Sequence, residues 1–209
     1  MELKKITKIF IIESPSEEDI KADRKEGLAL SEILRLTNIQ NKYSKVDSLE
    51  SFKGTLKQIS SEVKENIKGY GAITLHFSMH GNDQGIGFTN GDFLDWKNLY
   101  KIIKDFNDDV GYITLPGGRK LAPINLHFSV CKGFNAIAIK HMGVEAPYQS
   151  LVAPTVAVNW ADSIMAFATY YHSTLHKVKG SKVAIKEMNS INDFNDVFKI
   201  DLMDGLMSI

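Results

Sequence analysis

The sequence predicts an α/β fold: a three-layer α/β/α sandwich around a mainly parallel sheet, with a β-hairpin set between two central strands. Three observations predict it. Short apolar, β-branched runs alternate with segments of helical periodicity along the chain, the pattern of strands joined by crossover helices. Two of the apolar runs, Leu75-His76-Phe77-Ser78 and Leu126-His127-Phe128-Ser129, are copies of one another and can lie side by side in one register. Between them, Asn90-Gly91 sits among Ile86, Phe88, Phe93 and Leu94, and Asn-Gly supplies the two positive φ angles of a type I′ hairpin turn.

Taken in order, Lys5 to Ile12 reads as the first strand. Ser14-Pro15-Ser16-Glu17-Glu18 then gives the cap, proline and acidic first turn of a helix expected to run to about Thr37. Phe52, Leu56, Ile59, Val63 and Ile67 recur at spacings of three and four, which is one face of an amphipathic helix lying on a sheet. Ala72 to Met79 is the next strand, followed by the hairpin from Ile86 to Leu94. Asp95 caps a helix through Trp96, Leu99, Ile102, Ile103 and Phe106, and Pro116-Gly117-Gly118 marks a turn. Leu126 to Val130 reads as a strand and Phe134 to Lys140 as a helix. Ser150 to Val158, interrupted by Pro154, enters the sheet; Ile164, Phe167, Tyr171 and Leu175 form a helical stripe; Val197 to Leu202 is a candidate edge strand. No Pro, Gly or Ser-rich linker divides the chain, so residues 1–209 are read as a single domain.

The 25 basic and 25 acidic residues cancel, which gives no basis for a nucleic acid or other polyanion as partner. The longest apolar runs, Ile9 to Ile12 and Leu151 to Val158, fall far short of the roughly 20 residues of a membrane span. The run behind Lys4, Lys5 and Lys8 also lacks the length and cleavage site of a signal peptide, so no membrane association is expected. With Cys131 as its single cysteine the chain has no internal disulfide, which fits a reducing, cytoplasmic compartment and leaves one thiol free, buried or reactive.

Laid side by side, the twin strands put His80 and Cys131 at the same height, each five residues after its matching Leu. Side chains alternate faces, so His76, Ser78 and His80 share a face, as do His127, Ser129 and Cys131. Adjacent strands are about 4.8 Å apart, which brings an imidazole and a thiol near hydrogen-bond reach at the C-terminal ends, where open α/β sheets place their sites. An unassisted thiol is only a few per cent thiolate at neutral pH, and an imidazole beside it raises that fraction or takes the proton during attack. Gly81 after the histidine and the N–H of Cys131 are the natural oxyanion donors. On residue type alone a lone cysteine at a strand end is a small buried hydrophobe; the joint pattern of His-Gly and Cys-x-Gly reverses that reading. A metal site built from His76, His80, His127 and Cys131 is disfavoured, because residues four apart on a strand are roughly 13 Å apart. No metal or other cofactor is expected, and His76 and His127 are read as packed or hydrogen-bonded strand residues.

These residues resemble the caspase-like superfamily of cysteine peptidases, and within it most closely the bacterial CHAT-type (caspase and tetratricopeptide-associated) branch. His80-Gly81 follows an apolar strand as the family's catalytic His-Gly does, and Phe128-Ser129-Val130-Cys131-Lys132-Gly133 looks like its Ser-Ala-Cys-x-x-Gly block with a shortened tail. The hairpin of Phe88 to Leu94, and Val156-Ala157-Val158-Asn159-Trp160-Ala161-Asp162 before the last large helix, resemble further family features. The likeness spans residues from about 70 to 190. Ser129-Val130-Cys131-Lys132-Gly133 departs from the animal caspase pentapeptide Gln-Ala-Cys-x-Gly, so a strict aspartate preference is not carried over.

The resemblance implies a caspase-like fold and a cysteine endopeptidase in which Cys131 attacks a peptide carbonyl, His80 handles the proton, and Gly81 and Cys131 hold the oxyanion. Asp162 beside Trp160 is a candidate for the pocket receiving the residue before the cut, with a basic preference; its alternative is the N-cap of the helix that follows. The residues indicate no third catalytic member. Lys132 is read as solvent-facing next to the site, its alternative being to favour the thiolate electrostatically. The expected partners are a protein or peptide substrate encoded nearby, in bacterial defence or programmed death, and a regulatory partner that supplies the trigger. A degenerate binding module, and an unrelated α/β hydrolase or ligand-binding domain with a chance Cys-His pair, remain open.

Overall fold

Four consecutive residues, Ile9, Phe10, Ile11 and Ile12, are each at most 1% exposed, so their strand is covered on both faces, as parallel strands flanked by helices are. The computed structural model describes residues 6–66, 70–191 and 195–203. In chain order the elements are β1 (Ile6–Ser14), α1 (Glu17–Lys21), α2 (Glu26–Leu36), β2 (Asn41–Lys45), α3 (Leu49–Asn66), β3 (Tyr70–Met79), β4 (Gly85–Gly87), β5 (Phe93–Asp95) and α4 (Trp96–Val110). They continue with β6 (Ile113–Thr114), β7 (Lys120–Leu121), β8 (Ile124–Ser129), a 3₁₀ segment Gly133–His141, β9 (Ser150–Pro154), α5 (Trp160–Tyr171), α6 (Ser181–Asn189) and β10 (Phe198–Leu202).

The main sheet has the order β10-β9-β8-β3-β1-β2, parallel throughout except for β10, which runs antiparallel at one edge. On one face Phe10, Ile12, Leu75, Phe77, Leu126 and Phe128 pack with Phe52 and Leu56 of α3 and Leu99, Ile103 and Phe106 of α4. On the other, Ile9, Ile11 and Val152 pack with Leu30 and Leu34 of α2, Phe167 of α5 and Met188 of α6. This is the three-layer sandwich expected from the alternation of strands and helices. The central pair follows the expected register: Leu75 lies opposite Leu126, His76 opposite His127, Phe77 opposite Phe128 and Ser78 opposite Ser129. Their second face is polar and buried, with Thr74, His76, Ser78, His127 and Ser129 each no more than 3% exposed.

Four local expectations are corrected. The helix read as opening on Ser14-Pro15-Ser16-Glu17-Glu18 and running to about Thr37 is two helices, because Asp23 takes a left-handed φ of 52°, a conformation an Asp tolerates better than most residues. The Arg24 N–H then closes the turn on the Asp19 carbonyl at 2.8 Å. The hairpin forms with Ile86 opposite Leu94, but its turn is not type I′: Gly91 (φ 89°) has a positive φ and Asn90 does not. Tertiary bonds hold the loop wider, since Thr89 Oγ1 donates to the Pro15 carbonyl at 2.6 Å and the Asn90 N–H to the Asp47 carbonyl at 2.9 Å. The strand read to Val158 stops at Pro154. The segment from Phe134 to Lys140 winds as a 3₁₀ rather than an α-helix. Ile67, placed on the apolar stripe of α3, and Lys5 lie outside the described residues.

Beyond β8 the chain turns sharply: Lys132 is left-handed, with φ 55°, and Gly133 packs so closely that a Cβ there would lie 2.9 Å from Phe128 Cβ and 3.3 Å from Val130 Cβ. This turn sets where Cys131 emerges. Gly133→Ala is expected to lower stability by about 1–3 kcal/mol, measured by urea denaturation with the wild-type protein alongside.

Candidate active site

The ends of β3 and β8 open into a cleft of about 290 Å³ lined by Arg24, His80, Ser129, Cys131, Val158 and Trp160, among others. The matched register therefore delivers His80 and Cys131 to one cavity, and Trp160 joins them. Asp162 is not among the lining residues. It is the third residue of α5, where its N–H donates to Asn159 Oδ1 at 2.8 Å and its carboxylate accepts from Asn159 Nδ2. The N-cap of α5 is Asn159, in place of Asp162.

A side chain that the sequence did not single out organises the cleft. Asp19 is 3% exposed in its side chain, and its two oxygens take four partners. Oδ2 lies 2.5 Å from His80 Nε2 and accepts from Ser16 Oγ at 2.7 Å. Oδ1 accepts from Trp160 Nε1 at 3.1 Å and pairs with Arg24 Nε at 2.9 Å. Burial alone would raise the Asp19 carboxyl; the hydrogen bonds from His80 and Ser16 outweigh it and bring the pKa down to about 2. Asp19 is therefore ionised at neutral pH and has only lone pairs to offer. The proton between it and His80 belongs to Nε2, and neutral His80 is left with its lone pair on Nδ1. Trp160 stands edge-on to the imidazole, centroids 5.1 Å apart at 81°, and fixes its plane. In the sequence Asp19 reads as one of three acids in a first helical turn, and it does cap that turn with Ser16. Nothing in the spacing ties it to His80, 61 residues away.

Cys131 is half-buried, and its thiol donates to the Val158 carbonyl at 3.6 Å rather than to His80. Around it most backbone donors are committed. The N–H of Asn82 goes to the Gly85 carbonyl at 3.0 Å, that of Lys132 to Val156 at 3.0 Å, and that of Gly133 to Val130 at 2.9 Å. Those of Gly81 and Cys131 have no backbone acceptor among the described residues. Gly81 is packed where a Cβ would lie 2.4 Å from Val130 Cγ1 and 2.6 Å from the Gly85 carbonyl oxygen, so the position admits only glycine. Lys132 is exposed, as read from the sequence.

His76 and His127 lie deeper on the same face. Each places Nδ1 against the hydroxyl of Tyr171, at 2.9 and 2.8 Å. One hydroxyl donates only once, so one histidine accepts its proton and the other donates its own N–H, and the two are opposite tautomers. Burial pushes both imidazoles down, His127 to about 3, which keeps them neutral. They are packed, hydrogen-bonded strand residues, removed from the cleft.

Sheet order, polar central pair and cleft together define a caspase-like fold. Solved structures that share it include three proteases. The chain superposes on the Drosophila initiator caspase Dronc with a TM-score of 0.60 at 10% identity, over 97% of this chain and 81% of that one. It superposes on a secreted C11 cysteine protease from Bacteroides thetaiotaomicron, solved with an irreversible peptide inhibitor, with a TM-score of 0.57 at 6% identity, over 89% of this chain and 58% of that one. For drICE the TM-score is 0.56 at 12% identity, over 97% and 90% of the two chains. At these identities the likeness is one of fold. No family model and no curated protein sequence matches the chain.

Beneath the cleft, burial lifts the Glu26 carboxyl to about 7, against hydrogen bonds from Ser78 and Ser129 and with added repulsion from Glu13. The folded pKa lies above the unfolded one, so Glu26 binds its proton more tightly in the native state. Its stabilising contribution is complete below about pH 4.5 and is lost as pH rises through about 7. Between pH 4.5 and 8 the stability difference between wild type and Glu26→Gln is expected to move in favour of the glutamine by about 3 kcal/mol, read from urea midpoints at each pH.

Proposed function

We propose that the chain is a cysteine endopeptidase that cleaves a protein substrate through a thioester acyl-enzyme, with Cys131 as nucleophile and His80 as general base and acid. The observation that carries this reading is the Asp19–His80 bond inside the cleft that Cys131 lines. It holds the imidazole in the tautomer whose lone pair, on Nδ1, is free to take the thiol proton. The thiolate attacks the substrate carbonyl while the N–H groups of Gly81 and Cys131 receive the developing oxyanion. The C–N bond breaks as the imidazolium returns its proton to the leaving amine. Water, deprotonated by His80, then cleaves the thioester, and the carboxylate product leaves with the thiol restored. Asp19 stabilises the imidazolium in both halves, which makes it the positioning third member. Trp160 forms a wall of the substrate site.

The charge beside Cys131 also bears on specificity. Arg24 lines the cleft with a half-exposed side chain and commits Nε to Asp19, leaving its terminal nitrogens to face a substrate. An acidic residue before the cut therefore fits better than the basic one expected from Asp162. The thiol contact with Val158 suits a resting site that a regulatory partner opens. The His-Gly and Cys-x-Gly blocks support the CHAT-type branch, and with it a substrate encoded nearby and a part in bacterial defence or programmed death.

Peptide-library cleavage tests these assignments. Cys131→Ala is expected to abolish turnover; cleavage that survives it sinks the proposal. Asp19→Asn is expected to lower kcat by about 10²–10⁴ with a much smaller change in KM. In the same library Arg24→Glu should exchange an acidic for a basic preference, and an unchanged profile would remove Arg24 from the specificity site.

A further inference from the structure

Glu26 opens α2 and is 5% exposed, yet its two oxygens go to two different strands. Ser78 Oγ of β3 donates to Oε2, and Ser129 Oγ of β8 donates to Oε1 at 3.1 Å. Ser129 Oγ also lies 2.6 Å from Ser163 Oγ of α5. Ser78 and Ser129 face each other in the ladder, each two residues before His80 or Cys131, and Ser129 lines one cleft with both of these. One carboxyl thus ties the strand ending in the imidazole to the strand ending in the thiol. Ser129 lines the same cleft as Cys131, so the carboxyl bonded to Ser129 lies at the floor of the site that holds the reacting sulfur.

Resting on the reading of Cys131 and His80 as the reacting pair, we propose that Glu26 is a positioning residue whose protonation state sets the reactivity of Cys131. Neutral Glu26 leaves the thiolate unopposed. Ionised Glu26 places a second negative charge beneath it, in a buried setting where screening is weak, and lowers the thiolate fraction.

The surroundings determine when this happens. From β1, Glu13 holds the Gly27 N–H and the Tyr43 hydroxyl at 2.8 and 2.7 Å and repels a charge on Glu26. Tyr171 of α5 and the imidazoles of His76 and His127 are neutral through burial. Asp19 of α1 and Arg24 of the turn that follows it neutralise each other, and His80 of the cleft bonds to that same Asp19. With these neighbours Glu26 titrates at about 7, within the range in which a thiol–imidazole pair works.

The test is the rate of Cys131 carbamidomethylation by iodoacetamide, followed by intact mass from pH 5.5 to 9. Wild type, Glu26→Gln, Ser78→Ala and His80→Ala are compared, each checked for folding by circular dichroism. Wild type and Glu26→Gln are expected to react alike at pH 5.5. At pH 8 the glutamine variant should be about threefold to tenfold faster and lack the inflection that wild type shows near neutrality. Ser78→Ala, which removes a donor to the ionised carboxyl, should move that inflection to higher pH. Superimposed profiles of wild type and folded Glu26→Gln overturn the proposal. Should the glutamine variant not fold, an unshifted Ser78→Ala profile overturns it instead. A His80→Ala rate equal to wild type overturns the thiol–imidazole pair itself, separately from the comparison that decides Glu26.

Discussion

The parallel pairing of β3 with β8 is the constraint on which the site depends. A shift of one residue would turn every side chain of one strand to the opposite face, sending Phe77 or Phe128 into the polar layer and Ser78 or Ser129 into the apolar one. The register is held from both sides. Phe77 and Phe128 pack at 5.0 Å between centroids on the α3–α4 face, while Ser78 and Ser129 share Glu26 on the other. With that pairing fixed, His80 and Cys131 emerge at the same level without any contact between them being needed to hold the fold.

The second face of these strands is costly to build, because buried polar groups need partners. The chain meets this with groups from outside the sheet. Tyr171 of α5 serves His76 and His127, and Ser163 of α5 serves Ser129. The broken helix after β1 supplies Asp19 to His80, Arg24 to Asp19, and Glu26 to both serines. The break at Asp23 matters for this reason: a continuous helix would not bring Asp19, Arg24 and Glu26 to the cleft and its floor in this arrangement. Glu26 remains the least comfortable member, an acid whose burial works against the charge it would carry at neutral pH.

Much of the fold was legible because its signals are local or repeated. The continuous apolar run of β1, the three-and-four spacing of α3 and the Asp95 cap of α4 are patterns that the backbone enforces within a few residues. The twin Leu-His-Phe-Ser segments made even a tertiary register readable, since each strand labels its partner. What escaped depends on distant contacts. β2 is Asn-Lys-Tyr-Ser-Lys, an edge strand with no apolar run, and α6 carries a weak stripe ahead of β10. The turn at Asn90-Gly91 follows local propensity only until Pro15, Asp47 and Leu49 bond to it. The third member of the site escaped for the same reason. Asp19 satisfies a capping box in sequence, and only folding brings His80, Trp160 and Arg24 onto it. Asp162 shows the converse: an acid beside Trp160 in sequence is engaged with Asn159 at the helix start.

The central claim is that Asp19 presents His80 to Cys131 with its proton on Nε2 and its lone pair on Nδ1. Nitrogen-15 NMR of the protein labelled at histidine reads this directly, with the His80 signals assigned by their loss in His80→Ala. The expected spectrum at pH 8 shows a protonated Nε2 and an unprotonated Nδ1 for His80, with the preference lost in Asp19→Asn. A His80 protonated on Nδ1, or one whose tautomer is indifferent to Asp19, would contradict the account.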